Sequence, residues 1–413
     1  MPNSPPPLAQ RGMNADARLV GWLSLAQLIS WGSIFYTFTL IMEPIERELG
    51  LDRVESSMAF SIALLVEGLM AYPVGRLIDR GHERLVMTSG SILAGLCLLA
   101  HGWIGGRVGL YCAWAGLGAA MAAVLYAPAF AVVTRRFPSD FRRAIITITF
   151  LGGLASTVFI PLTAWLNTAL GWRSAMMALA VLHWLVCAPL HAAVLRGAPR
   201  PAALPKSNAA LASSLSTHFR TAPFLLIGTF VVLMMAVTVA LPAHMVSLLR
   251  GHELDERWVI AIPASIGAIQ VLGRLLLYFF ERHVNVHLAN RLIPCLIPLG
   301  LLALLIAPLT GSAHTSIVLL FVALWGMGNG MLTIVKGTAI AEYVNREHVA
   351  SLNGALGLPL ALARSAAPLG LGLLWRPDGG YALGLIVLVL ISVCAILALV
   401  IAQRLTMPKP TQT

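Results

Sequence analysis

The chain has 413 residues, of which 58% are hydrophobic and only 11% charged, with a mean hydropathy of +0.83. Soluble domains sit near ~45–50% apolar and ~25% charged, so a water-soluble globular protein is excluded. The formal charge of +11 does not argue for nucleic acid either, because the arginines are scattered between apolar runs and form no patch on a soluble module.

The apolar excess lies in runs of about twenty residues separated by short polar breaks, the pattern of transmembrane helices. A transmembrane β-barrel would instead show ~10-residue segments of alternating polarity. The N-terminal stretch MPNSPPPLAQRGMNADAR is polar and proline-rich. The run after it is too long for a signal-peptide core and has no small-residue cleavage site, so it is expected to be retained as a helix. The sequence predicts about twelve spans: Leu19–Met42, Ser56–Ile78, Leu85–Trp103, Val108–Val133, Ala144–Leu166, Ser174–Leu195, Phe224–Leu249, Trp258–Phe280, Val286–Leu309, Thr315–Ala341, Ser351–Trp375 and Tyr381–Gln403. Span three is short, and Pro294 and Pro298 interrupt span nine, which membrane helices tolerate because neighbours re-satisfy the backbone. Cys97, Cys112, Cys187, Cys295 and Cys394 all fall in apolar runs without metal-ligand spacing and read as buried packing residues.

With the N-terminus in the cytoplasm, 18 of the 28 Lys and Arg fall on the cytoplasmic side, 7 outside and 3 within the membrane. That is the positive-inside bias, and it puts both termini in the cytoplasm of an inner or plasma membrane. The first outer loop is acidic, with Glu43, Glu46, Glu48, Asp52 and Glu55; the two faces are called here the acidic-loop end and the basic-loop end. The longest break, a Pro-, Ala- and Ser-rich linker over 196–222, divides a 1–18 tail and a first half at 19–195 from a second half at 223–404 and a 405–413 tail. Within it Leu211, Leu215 and Phe219 recur every four residues, which fits a short interfacial helix and a flexible linker equally.

The halves repeat each other. Gly116–Met121 (GLGAAM) matches Gly326–Met331 (GMGNGM), Pro161 and Leu162 match Pro368 and Leu369, and Gly75–Arg76 recurs as Gly273–Arg274. Parallel repeats of six spans are a transporter construction with the site at the midplane. The expected fold is therefore an all-α membrane protein of twelve transmembrane helices in two pseudo-symmetric six-helix halves.

Between spans two and three lies GRLIDRGHER, residues 75–84. A glycine one turn before an Asp–Arg pair is expected to let helices approach, and the charges of Asp79, Arg80 and Arg84 to bridge neighbouring helix ends. Here the chain resembles the major facilitator superfamily, whose signature is a glycine, three residues, Asp-Arg, then a glycine and a basic residue. Gly75, Asp79, Arg80 and Arg84 match; the later glycine, Gly81, comes one position early. At finer grain the chain resembles the branch of monocarboxylate transporters and oxalate–formate antiporters, through Trp31–Tyr36 (WGSIFY), Arg135–Phe137, Arg142–Ala144 and the glycines Gly152 and Gly153. The resemblance implies secondary transport by alternating access, with basic residues on spans eight and eleven binding a substrate carboxylate. It also implies an acid one turn before the span-eight arginine, where this chain has Gln270, a further candidate for substrate binding.

Arg274 and Arg364 fall on those spans. An arginine in hydrocarbon costs roughly 2.5–3.5 kcal/mol or more and needs a reason; a permanent, bidentate cation is an anion receptor. Arg274, two turns from the end of its span at Glu281, could also snorkel, and Lys336 is read as snorkelling. Glu67, an acid deep in the membrane, either titrates with transport or pairs with an arginine. Tyr36 and Tyr126 are the aromatic candidates of the first half for substrate, with Trp31 and Trp325 as further cavity-lining candidates. The histidines form no metal constellation, no ATP-binding loop is present and no acid, His or Cys cluster suggests an enzyme. The sequence thus points to a monomeric carrier of a small organic anion, without cofactor or metal, coupled as a symporter or antiporter with protons a candidate. Its rivals are an exporter of another small molecule, such as a drug or metabolite, and a non-transporting sensor.

Overall fold

The computed structural model describes residues 8–137, 141–197, 220–280, 285–344, 352 and 355–406. In hydrocarbon every backbone polar group must find a partner within the chain, which a helix does unaided. Ten stretches among the described residues are helical, long and apolar enough to cross a membrane. One of them, Ala144–Val194, has 51 residues, about twice what a ~30 Å hydrocarbon layer needs. It is broken at Gly171, whose φ of 77° and ψ of 158° are not helical, so it holds two spans. One more helix, Gly357–Leu373, has 17 residues and is predicted span eleven. With the long stretch counted twice and this helix added, the total is the expected twelve.

Span one departs from the prediction in two ways. It is not a uniform α-helix: Leu8–Ser30 leads into a π turn at Trp31–Tyr36, and Phe38–Leu49 follows. It also runs through Pro44 to Leu49, so Glu43, Glu46 and Glu48 lie on helix turns and not in a loop. The reason is that Glu43 and Glu46 have helical partners, Arg250 and Arg53 respectively. A second π turn, His183–Cys187, lies in span six. Ser33 Oγ and His183 Nε2 are 2.8 Å apart and join the two π turns. The linker segment with Leu211, Leu215 and Phe219 lies outside the described residues, as does Glu281.

The described residues fall in two compact units, one within Met1–Thr37 and Leu69–Ala203, the other within Phe38–Gly68 and Leu204–Thr413. In the first, spans three and four pack closely, Gly90 against Ala123 and Gly116 against Cys97. In the second, span ten packs on spans eight and nine, and span seven on spans eleven and twelve. The Gly-x-Gly pattern of span ten reads as close helix packing, and the contacts agree. A Cβ on Gly326 would lie 2.7 Å from the Ile269 side chain, one on Gly273 would lie 2.8 Å from the Met327 carbonyl oxygen, and one on Gly330 would overlap the Gln270 carbonyl. Two of the five cysteines correct the packing assignment: Cys112 and Cys394 are exposed, which a small, weakly polar thiol on an apolar span tolerates.

Gly330→Val is expected to force spans eight and ten apart and to destabilise the protein by about 1–3 kcal/mol, the usual cost of overpacking. The check is thermal unfolding in detergent, with Gly337→Ala, whose Cβ meets nothing within 4 Å, as the control that stays near wild type.

Candidate functional site

Arg364 lies on the Gly357–Leu373 helix, and Glu67 on Arg53–Asp79. The two are 297 residues apart in the chain, yet Arg364 Nη2 donates to Glu67 Oε2 at 2.9 Å and Nη1 to Oε1 at 3.3 Å. Their side chains are 24% and 13% exposed. The local cause is a close crossing: a Cβ on Gly68 would overlap that of Ala361, so spans two and eleven touch within a turn of the pair. Carboxylate and guanidinium are matched fork to fork, and each removes the cost of the other's charge. The sequence left open whether Glu67 titrates or pairs; in this structure it is paired. Arg364 therefore does not stand as an uncompensated cation.

Arg274 is half-buried, and its Nε donates to the Gly330 carbonyl at 3.4 Å. This places it at the crossing of spans eight and ten, one turn from the half-buried Gln270. Lys336 is half-buried and within electrostatic range of Arg364. Gln270, Arg274, Lys336, Glu67 and Arg364 all belong to the second unit.

The tyrosines belong to the first unit. Tyr36 ends the π turn of span one, with its ring 5.3 Å from Phe35 and 6.5 Å from Trp31. Tyr126 lies 4.9 Å from Trp31 and stacks on Phe130 at 5.2 Å. Gly152 makes room for it, since a Cβ there would lie 2.5 Å from the Tyr126 hydroxyl. Trp325 is corrected: at 1% exposure it is a core residue of the second unit, where its backbone passes close to Gly300.

The motif between spans two and three differs in detail. Gly81 takes φ 88°, a left-handed conformation that suits glycine, so the turn forms with the glycine one position early. Gly75 is not a point of close approach; a Cβ there would meet nothing within 4 Å. Arg84 Nε donates to the Ala192 carbonyl at 2.7 Å, and Arg80 is exposed. The side chains of Asp79, Arg142 and Arg143 lie outside the described residues. The acid that sequence reasoning missed is Glu83, fully buried and paired with both Arg135, at 3.2 Å, and Arg136. The adjacent arginines on span four were a usable signal, because two cations at a helix end need an anion nearby.

The profile of the Major Facilitator Superfamily matches residues 23–368. The chain is 30% identical over 155 residues to the "Uncharacterized 38 kDa protein in 23S RNA operon" of Thermoproteus tenax, a match spanning 38% of this chain and 40% of that protein. Among solved structures, a bacterial homologue of the human lysosomal transporter Spinster superposes with a TM-score of 0.74 at 17% identity, covering 96% of this chain and 99% of that one. The nucleoside transporter NupG gives 0.72 at 14% identity over 96% and 100%. A D-xylose–proton symporter gives 0.68 at 12% over 95% and 98%. At these identities the likeness is one of fold.

Breaking the pair from one side is expected to cost more than removing it. Arg364→Gln strands a mostly buried carboxylate and should destabilise the protein by about 1–3 kcal/mol; Glu67→Gln with Arg364→Gln should recover most of that loss. Thermal unfolding of the two single variants and the double variant in detergent tests this as a double-mutant cycle.

Proposed function

Because the chain belongs to the Major Facilitator Superfamily, we propose that it is a secondary transporter that moves a small organic anion, a carboxylate, across an inner or plasma membrane by alternating access. The observation that carries this reading is the Glu67–Arg364 fork. An arginine inside the membrane already holds a carboxylate there, in the geometry that a substrate carboxylate would adopt in Glu67's place. Arg274, on span eight, is the second cation of the reading. The likeness to the monocarboxylate and oxalate–formate branch supports this assignment, because that branch uses basic residues on the same two spans. In the first unit the reading assigns Tyr36 and Tyr126 to substrate.

Glu67 then has two states. Forked on Arg364 it blocks the cation. Displaced by substrate it gives up that partner. Gln270 has no acidic proton to exchange, so Glu67 is the proton carrier if transport is proton-coupled. The reading further takes the protein as a monomer with both termini cytoplasmic, in two six-span halves at 19–195 and 223–404, with Asp79, Arg80 and Arg84 latching the cytoplasmic end. The closed Glu67–Arg364 pair also fits a second reading: a fork that never opens would be structural, and the protein would then be an exporter of another small molecule, such as a drug or metabolite.

Purified protein in liposomes, offered a panel of carboxylates with pH and voltage clamped in turn, is expected to accumulate at least one of them. Arg364→Gln should abolish that uptake and Arg274→Gln nearly so, while Arg364→Lys should weaken it by keeping charge without the fork. Normal accumulation by both Gln variants, at normal expression, would sink the anion reading.

Glu67→Gln separates coupling from binding. It is expected to abolish pH-driven accumulation and spare exchange of internal for external substrate. Equal loss of both would mean a structural ion pair.

A further inference from the structure

A second buried polar network lies at the acidic-loop end of the second unit, centred on Arg53, which its sequence position assigns to a loop. Arg53 opens the second span, and its side chain is only 10% exposed. Its guanidinium is met from four other spans or their ends. It pairs with Glu46, near the end of span one, at 3.0 Å. It donates to Ser247 near the end of span seven, and to the Tyr381 hydroxyl, where span twelve begins, at 2.7 Å. The Trp375 ring, just past the end of span eleven, covers it at 5.1 Å. Two further ties join spans one and seven beside it: Arg250 pairs with Glu43, and the Val246 N–H donates to Thr39 Oγ1 at 3.2 Å. Span eleven closes against span two here, since a Cβ on Gly372 would lie 2.6 Å from Ser57 Oγ.

The network continues inward. His244, fully buried, has Nδ1 at 3.0 Å from the Tyr381 hydroxyl and Nε2 at 2.9 Å from the Pro368 carbonyl. A carbonyl only accepts, so Nε2 carries the imidazole proton and Nδ1 accepts from Tyr381. The bonds therefore run in one direction: Arg53 donates to Tyr381, Tyr381 to His244, and His244 to the backbone of span eleven. They end at a weak turn. Pro368 has no N–H to give the Arg364 carbonyl, four residues earlier, and the Leu369 N–H donates to Ser61 Oγ of span two at 3.1 Å. The turn that follows Arg364 is thus held from spans two and seven.

We propose that Arg53 is the keystone of a gate at the acidic-loop end, wired through Tyr381 and His244 to the turn of span eleven that carries Arg364. With the network formed, the ends of spans one, two, seven, eleven and twelve are tied together and this end is shut. A change of partner at Arg364 shifts the turn, moves the Pro368 carbonyl away from His244 and loosens the chain of bonds that holds Arg53. The gate itself stands whatever the substrate is; only the wiring rests on Arg364 as the binding site.

The test needs no substrate. Spin labels replace Arg47 and Arg257, whose side chains are 81% and 88% exposed, in full-length protein with its five cysteines removed, and pulsed electron–electron resonance reads the label separation in nanodiscs. The intact network is expected to give a dominant short distance. Arg53→Gln should raise the ratio of long to short separations by roughly 5-fold or more, the lower end of what coupled sites transmit. Tyr381→Phe, which removes one hydroxyl and leaves the ring, should shift it in the same direction. An unchanged distribution in a monodisperse Arg53→Gln protein overturns the gate, and an unchanged one in Tyr381→Phe overturns the wiring. Should Arg53→Gln not fold, Glu46→Gln takes its place with the same expected shift. Failure of the carboxylate reading in the uptake assay would leave these distances untouched, so the two ideas fail separately.

Discussion

Charge inside a low-dielectric layer is the constraint on which the rest of this structure depends. Arg364 and Glu67 would each be costly alone, and each is acceptable beside the other. The fork closes beside the point where spans two and eleven cross, because Gly68 lets Ala361 come close. That crossing sets Ser61 against Leu369 and Gly372 against Ser57. Arg53 solves the same problem with more partners, using a carboxylate, two hydroxyls and an aromatic face. Glu83 mirrors it in the first unit, an acid held by two arginines. Buried charge here is a set of short, directional ties between helices whose apolar faces alone would slide past each other.

The uncharged contacts follow a different rule. Lipid tails are as apolar as leucine, so helices gain little by hiding apolar surface from each other and gain more from close backbone approach. Spans eight and ten show this: Gly273, Gly326 and Gly330 bring the two backbones together, and the Gly330 carbonyl becomes an acceptor for Arg274. The same small residues that pack the helices thus expose the polar backbone that a membrane arginine can use.

The spans were legible because a bilayer imposes a length and a polarity on each of them, and twelve runs met both. Span one's true end was not. Glu43 and Glu46 look like loop residues until their partners Arg250 and Arg53 are seen, and Arg250 lies 207 residues from Glu43 in the chain. Arg53 was misplaced for the same reason: one charge beside a predicted boundary gives no sign of burial. Arg364 and Glu67 were each recognisable as membrane charges, since that depends on depth alone. Their pairing depends on which helices touch, which no local pattern encodes. Gly75 misled in the opposite sense, because a motif position suggested a contact that this structure does not make.

The π turn of span one has a consequence for how one helix can serve two bodies. A π turn takes up one more residue than an α turn, so the helix leaves it rotated by about 100° relative to an uninterrupted course. Before the turn, Leu23, Ala26 and Gln27 are buried in the first unit, where Gln27 Nε2 donates to the Val124 carbonyl at 2.6 Å. After it, Phe38, Ile41, Met42 and Ile45 are buried in the second, with Phe38 stacked on Phe60 at 4.8 Å. The change of unit, between Thr37 and Phe38, falls one residue past Tyr36, the last residue of the turn. A regular helix would carry a single apolar stripe in a single phase along its whole length. The inserted residue resets that phase once, so the two segments of one span address different partners.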